Sequence, residues 1–84
     1  MKTWFVYILR CRDGSLYTGI STDVEARLAR HNKGKGAAYT RSRKPVVLIW
    51  KEETRDESTA RKREVEIKSW KKVEKERFLA ENMP

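Results

Sequence analysis

The chain has 84 residues, 20 of them Lys or Arg against 12 Asp or Glu, for a formal net charge of +8 and a pI near 9.9. That length predicts one domain over residues 1–84, and no window approaches the ~18 consecutive apolar residues of a membrane-spanning helix. One cysteine leaves no internal disulfide, no Cys/His spacing suits zinc, and Met1-Lys2-Thr3-Trp4-Phe5-Val6-Tyr7 runs into strand-like sequence without a cleavage site, so the expectation is a small soluble, cytoplasmic protein.

Leu, Ile, Val and Phe supply 17 residues, close to the ~20 % line below which highly charged chains stay disordered. The core must therefore be small, with the eight aromatic residues expected to supply much of it. Residues 5–11 are aromatic and β-branched, Arg12-Asp13-Gly14 offers a turn, and strand character resumes over residues 15–21. That reads as a β-hairpin. Loop length decides which side chains share a face. A two-residue Asp13-Gly14 loop pairs Cys11 with Leu16 and puts Tyr7 and Tyr17 on opposite faces. A three-residue loop with left-handed Gly14 pairs Leu9 with Tyr17 and Tyr7 with Gly19, and the two tyrosines then share a face. Both stay open from sequence, although the longer loop uses Gly14 where a positive φ is required.

Thr22-Asp23-Val24-Glu25 has the spacing of a capping box and predicts a helix start. The apolar stripe is Val24, Leu28 and His31, bordered by Arg27 one turn before His31; residues 32–34 end the helix. A basic loop follows, with Gly34 and Gly36 expected to loosen its backbone, and Pro45 closes it. Val46-Val47-Leu48-Ile49-Trp50 reads as a strand covered on both faces. A second capping box, Thr54-Arg55-Asp56-Glu57, opens a helix whose inward stripe holds Ala60, Ile67 and Trp70, with Glu64 on that apolar side. A break near residues 69–72 precedes a last helix through Val73, Phe78 and Leu79. The order β-β-α-β-α-α predicts an α+β fold, a small sheet with helices packed on it.

The charge is localised. Residues 1–26 sum to zero and residues 45–84 to +1, whereas residues 27–44 carry Arg27, Arg30, Lys33, Lys35, Arg41, Arg43 and Lys44 with no acid. A compact basic stretch with Tyr39 inside it suits a phosphate backbone better than it suits solubility alone. It is not a P-loop, because the spacing and the following Ser/Thr are missing. Beside it stand two tyrosines, an Arg/His pair and a lone carboxylate. Each has a bland explanation: packed strand tyrosines, a solvated helix edge, and Glu64 paired with Lys68 or Lys71 at helical spacing. Their coincidence favours a site.

With those residues in place the sequence resembles the GIY-YIG nuclease superfamily, specifically its small stand-alone bacterial members. The matching residues are Phe5-Val6-Tyr7-Ile8-Leu9, Leu16-Tyr17-Thr18-Gly19-Ile20, Asp23, Arg27, His31-Asn32, Gly34-Lys35-Gly36, Tyr39-Thr40-Arg41, Pro45-Val46, Ala60, Glu64 and Ile67-Lys68, about 65 residues in order. Phe5 and Thr18 depart from the name motif, standing where it has Gly and Ile. The resemblance implies a central three-stranded antiparallel sheet flanked by helices. It also implies a catalytic set of Tyr7, Tyr17, Arg27, His31 and Glu64, with Glu64 the ligand of one Mg²⁺ or Mn²⁺ ion.

The activity so implied is hydrolysis of DNA phosphodiesters, with DNA favoured over RNA and branched or structured DNA a candidate substrate. Tyr7 would orient or deprotonate water with His31 accepting the phenolic proton, Arg27 would clamp the phosphate, and Tyr17 would position phosphate or water. Arg30, Lys33, Lys35, Tyr39, Arg41, Arg43 and Lys44 would carry the strand. With so short a chain, a protein partner or substrate structure is expected to supply targeting, and no membrane role is indicated. The rival reading is a non-catalytic DNA- or RNA-binding module on the same fold, which needs the basic loop but not Tyr7, Arg27 and Glu64 together.

Overall fold

The computed structural model describes residues 2–82; residue 1 and residues 83–84 lie outside it. Strands β1 (Trp4–Arg10), β2 (Leu16–Ser21) and β3 (Val47–Thr54) form one antiparallel sheet in the order β2-β1-β3. Helix α1 (Val24–Asn32) and the single turn α2 (Ala38–Arg41) separate β2 from β3, and α3 (Glu57–Lys68) and α4 (Lys72–Asn82) follow. The expected β-β-α-β-α-α order and α+β class hold, with α2 an added turn inside the basic loop. No described helix is long and apolar enough to cross a membrane.

The hairpin adopts the longer loop. Cys11 N donates to Ser15 O at 2.8 Å and Gly14 sits at φ +87°, so Leu9 pairs with Tyr17 and Tyr7 with Gly19. Asp13 Oδ1 reinforces the turn by accepting from Ser15 N at 3.0 Å. Strand alternation then gives β1 two buried faces. Val6 and Ile8 pack with Ala60, Ile67 and Leu79, so α3 and α4 cover that side. Tyr7 and Leu9 pack with Cys11, Val24 and Val46, so α1 and the approach to β3 cover the other. Each aliphatic side chain so buried contributes about 1.5–3 kcal/mol, and together they outweigh a highly charged exterior.

Four expectations are corrected. The strand covered on both faces is β1, because it is central; β3 is an edge strand that runs four residues past the apolar run, and Val47 is exposed. A register shift between Ile8 and Leu9 bulges β3 and lets consecutive Ile49 and Trp50 both pack toward the Val6/Ile8 side. Both helix starts fall later than the capping boxes put them. Asp23 caps α1 by accepting from Ala26 N at 3.0 Å, and Asp56 caps α3 by accepting from Thr59 N at 2.8 Å. Thr54 is instead the buried end of β3, donating to Trp4 O at 3.0 Å. In each case the carboxylate nearer the first turn competes better for the free N–H groups. Finally, of the eight aromatic residues only Tyr7 is fully buried, and Phe5, Trp50, Trp70 and Phe78 pack around the margins of an aliphatic core.

Candidate active site

Because Tyr7 and Gly19 are paired and Tyr17 lies two residues before Gly19, both phenols stand on the α1 face of the sheet, with ring centroids 6.4 Å apart. Gly19 has no side chain to occupy the surface beneath the Tyr7 ring, so that ring lies across β2 toward its open edge; a Cβ there would sit 2.6 Å from Tyr7 Oη. A cleft of about 280 Å³ opens at this edge. Tyr7, Tyr17 and Gly19 line it from one face, Trp4 and Ile20 from the other, Arg27 from α1, and Arg61 and Glu64 from α3.

α1 also places His31 at the bottom of the α1 side, 1 % exposed. Its Nε2 lies 3.2 Å from Tyr7 Oη and its Nδ1 lies 2.7 Å from Thr40 Oγ1 of α2. Thr40 has one hydroxyl proton and two acceptors for it, Ala37 O at 3.0 Å and His31 Nδ1 at 2.7 Å: given to Ala37 O, it leaves a lone pair facing Nδ1; given to Nδ1, it makes Nδ1 the acceptor. In the first case Nδ1 carries the imidazole proton and Nε2 accepts from the Tyr7 O–H; in the second Nδ1 accepts and Nε2 donates to Tyr7 Oη. The Ala37 N–H also points at Nδ1, but at 3.5 Å it is the longest contact of the set. Gly36 is needed for a reason other than looseness: a Cβ at that position would collide with His31 Nδ1. Asn32 pins the helix end through Nδ2 to Val46 O at 3.0 Å and by accepting from Val46 N at 2.7 Å.

The electrostatics keep this pair neutral at rest. Burial pushes the Tyr7 phenol far above its usual range; Tyr17 adds to that, Arg27 opposes it, and Glu64 adds again. Burial holds the His31 imidazole below its ordinary value, with Arg27 and Arg30 acting in the same direction. The proton accordingly rests on Tyr7 and passes toward His31 only if negative charge on the phenol oxygen is stabilised from outside.

Of the residues singled out from sequence, the cleft brings together Tyr7, Tyr17, Arg27 and Glu64, and His31 joins them through Tyr7. Arg27 is exposed and makes no ion pair among the described residues. Glu64 forms the helical pair with Lys68, Nζ to Oε2 3.1 Å, while its side chain is 18 % exposed. The loop cations do not enter the cleft. Arg30, Lys33, Lys35, Arg41 and Lys44 lie on the exterior. Arg43 is engaged internally, with Nε 3.1 Å from Asp13 Oδ2 and its guanidinium 4.1 Å from the Tyr39 ring centroid.

Sequence reading missed Arg61, which reaches the cleft while paired with Glu57 at 2.6 Å. It also missed the contacts of Thr40 and Gly36 with His31. An i, i+3 spacing from Glu64 marks Arg61 in retrospect; nothing local marks the other two, because they meet His31 only once the loop folds back.

The donor set fits a single hard divalent cation. Among the described residues no group of three His, Cys, Asp or Glu assembles, which leaves no all-protein cage. A single carboxylate is what Mg²⁺ or Mn²⁺ accepts from a protein while retaining several waters, and Glu64 Oε1 makes no hydrogen bond or ion pair among the described residues.

A family model described as the GIY-YIG catalytic domain matches residues 3–77 of the chain. A UPF0213 protein of Staphylococcus haemolyticus is 49% identical over 81 residues, covering 96% of this chain and 99% of that protein. Among solved structures, the solution NMR structure of a UPF0213 protein from Bacillus halodurans superposes with a TM-score of 0.64 at 40% identity, covering 96% of this chain and 86% of that one. A protein from E. faecalis, also solved by solution NMR, gives 0.64 at 41% identity over 95% and 85% of the two chains.

Proposed function

The chain belongs to the GIY-YIG catalytic domain family, and from that we propose that it is a divalent-cation-dependent endonuclease that hydrolyses phosphodiester bonds in DNA. The observation that carries the reading is the Tyr7 Oη–His31 Nε2 contact at 3.2 Å, set at the wall of a cleft that also holds Arg27 and Glu64. Hydrolysis needs water oriented and relieved of a proton, together with neutralisation of charge on the phosphoryl oxygens.

Tyr7 Oη orients the attacking water and takes its proton, passing its own to Nε2 of His31. That transfer requires Nε2 bare, with the imidazole proton on Nδ1 facing Thr40. General base assistance of this kind contributes about 10²–10⁴-fold. Arg27, exposed and without an ion pair among the described residues, binds the scissile phosphate, for which a guanidinium fork is well shaped. Tyr17 positions the substrate on the same face. Glu64 would hold one Mg²⁺ or Mn²⁺ ion, which when bound supplies positive charge beside the phosphoryl oxygens and the phenols. The basic exterior of residues 27–44 would gather the nucleic acid.

A second reading, a non-catalytic binding module, draws on one observation: Lys68 already neutralises Glu64 at 3.1 Å. The same experiment separates them. Supercoiled plasmid, branched DNA and structured RNA are incubated with the protein, with and without Mg²⁺ or Mn²⁺, beside folded Glu64→Ala. Cation-dependent nicking of DNA that disappears in the variant is the expected result. Binding without nicking under every condition establishes the module, and cutting by Glu64→Ala removes Glu64 from the cation role.

A further inference from the structure

A second cleft shares Tyr17 with the first. It has a volume of about 310 Å³ and is lined by Leu16, Tyr17 and Thr18 of β2, Tyr39 of α2, Lys68 of α3 and Lys75 of α4. Four elements distant in sequence meet here, so the three helical residues are not collected by accident of one helix face. The chemistry of the walls is specific. Tyr39 is 39% exposed, the highest fraction of any aromatic residue among those described. Its ring is inclined by 31° to Tyr17 with centroids 6.2 Å apart, and the Arg43 guanidinium steadies it from 4.1 Å. Lys68 Nζ stands 5.9 Å from the Tyr17 ring centroid, and Lys75 makes no ion pair among the described residues. No acid lines this cleft.

Flat aromatic walls, a short aliphatic floor and ammonium groups at the rim fit a planar heteroaromatic ring carried on an anionic backbone. Resting on the reading of the neighbouring cleft as the phosphodiesterase site, we propose that this second cleft receives one unpaired nucleobase next to the scissile phosphate, stacked on Tyr39, with Lys68 and Lys75 on its flanking phosphates. Tyr17 would then touch both the base and the phosphate to be cut. A base inside a duplex cannot reach such a cleft, so the substrate class is DNA with an unpaired nucleotide at the cleavage position. Every base has a π-face, so the site selects for the unpaired state and not for sequence.

The test is binding at fixed salt in EDTA, which isolates recognition from cleavage. Three fluorescein-labelled duplexes are compared: fully paired, with a single bulged nucleotide, and with a bulged abasic residue that distorts the backbone alike but carries no base. The protein is expected to bind the bulged base at least about fivefold more tightly than the abasic bulge, the lower end of what base–aromatic stacking contributes. Tyr39→Ala, checked for fold by circular dichroism, should erase that ratio, and Tyr39→Phe should restore it. Lys75→Ala should weaken all three duplexes alike. Equal affinity for base and abasic bulges, or a ratio untouched by Tyr39→Ala, overturns the subsite while leaving hydrolysis to be judged on its own assay. A preserved ratio in a protein that never cuts supports the subsite and removes the nuclease.

Discussion

Tyr7 and Gly19 face each other across the hairpin so closely that a methyl group at residue 19 would lie 2.6 Å from Tyr7 Oη and 2.7 Å from Tyr7 Cζ. The Tyr7 ring cannot simply move away, because it is buried and its oxygen is held by His31. Gly19→Ala should therefore displace the phenol from Nε2, lowering cleavage by an order of magnitude or more. Overpacking should also cost about 1–3 kcal/mol of stability. Denaturant unfolding together with plasmid nicking measures both, and an alanine variant of unchanged activity would sink the assigned role of the Tyr7 oxygen.

The proposed proton transfer requires His31 to carry its proton on Nδ1, facing Thr40, and that is visible without any substrate. Thr40→Ser keeps a hydroxyl facing Nδ1 and should leave Nδ1 protonated in ¹⁵N NMR spectra. Thr40→Val leaves that N–H without an acceptor in a buried place, which costs about 1–3 kcal/mol and should populate the other tautomer. Were the valine variant to show the wild-type imidazole spectrum, Thr40 would be only a packing residue.

The buried imidazole gives stability a definite pH dependence. His31 is depressed in the fold by burial, then by Arg27 and Arg30, whereas the unfolded chain takes up its proton near pH ~6.5. Between that pH and the lower native value the unfolded state binds more protons, so stability falls as the solution is acidified through this window. Above the window the contribution is fully present. Thermal melts from pH 8 to 5 should show the decline in the wild type and a flatter profile in His31→Gln. The acid limb of cleavage should lie below pH ~6.5 for the same reason.

Thr18 carries the one buried side-chain polar atom among the described residues without a hydrogen-bond partner, its Oγ1. Thr18→Val keeps the shape and removes the unpartnered hydroxyl, an exchange that should stabilise the protein by about 1 kcal/mol. The Tm should rise by several degrees. A lower Tm would mean that the hydroxyl is satisfied in solution, for instance by an internal water.

Sequence was informative wherever the governing interaction is local. The hairpin followed from a turn between two β-rich runs, with only its loop length left undecided. α1, α3 and α4 followed from helical periodicity, and the break at residues 69–72 from the end of it. Caps were misplaced by one or two residues, because Thr22 and Asp23, like Thr54 and Asp56, are rival caps that differ by where the preceding strand releases the chain. α2 was missed because a four-residue turn has no periodicity to detect. The covered strand was attributed to the wrong run, since apolar continuity does not reveal which strand is central.

For the site, residue identity determined the cast: two tyrosines, an arginine, a histidine and a glutamate in a recognisable order, beside a segment holding +7 of the net charge. The fold alone decided how they meet. The hairpin register put both phenols on one face, Gly19 and Gly36 made room for Tyr7 and His31, and Thr40 supplied the hydrogen bond that orients the imidazole. The basic segment likewise proved divided, with Arg27 at the cleft, Arg43 tied to Asp13 and Tyr39, and the remaining cations outside. The physical reason is range. Propensity, capping and periodicity act over a few residues and are written in the chain, whereas proton position and charge placement depend on atoms 9 to 66 residues apart that only tertiary packing brings to between 2.7 and 3.2 Å.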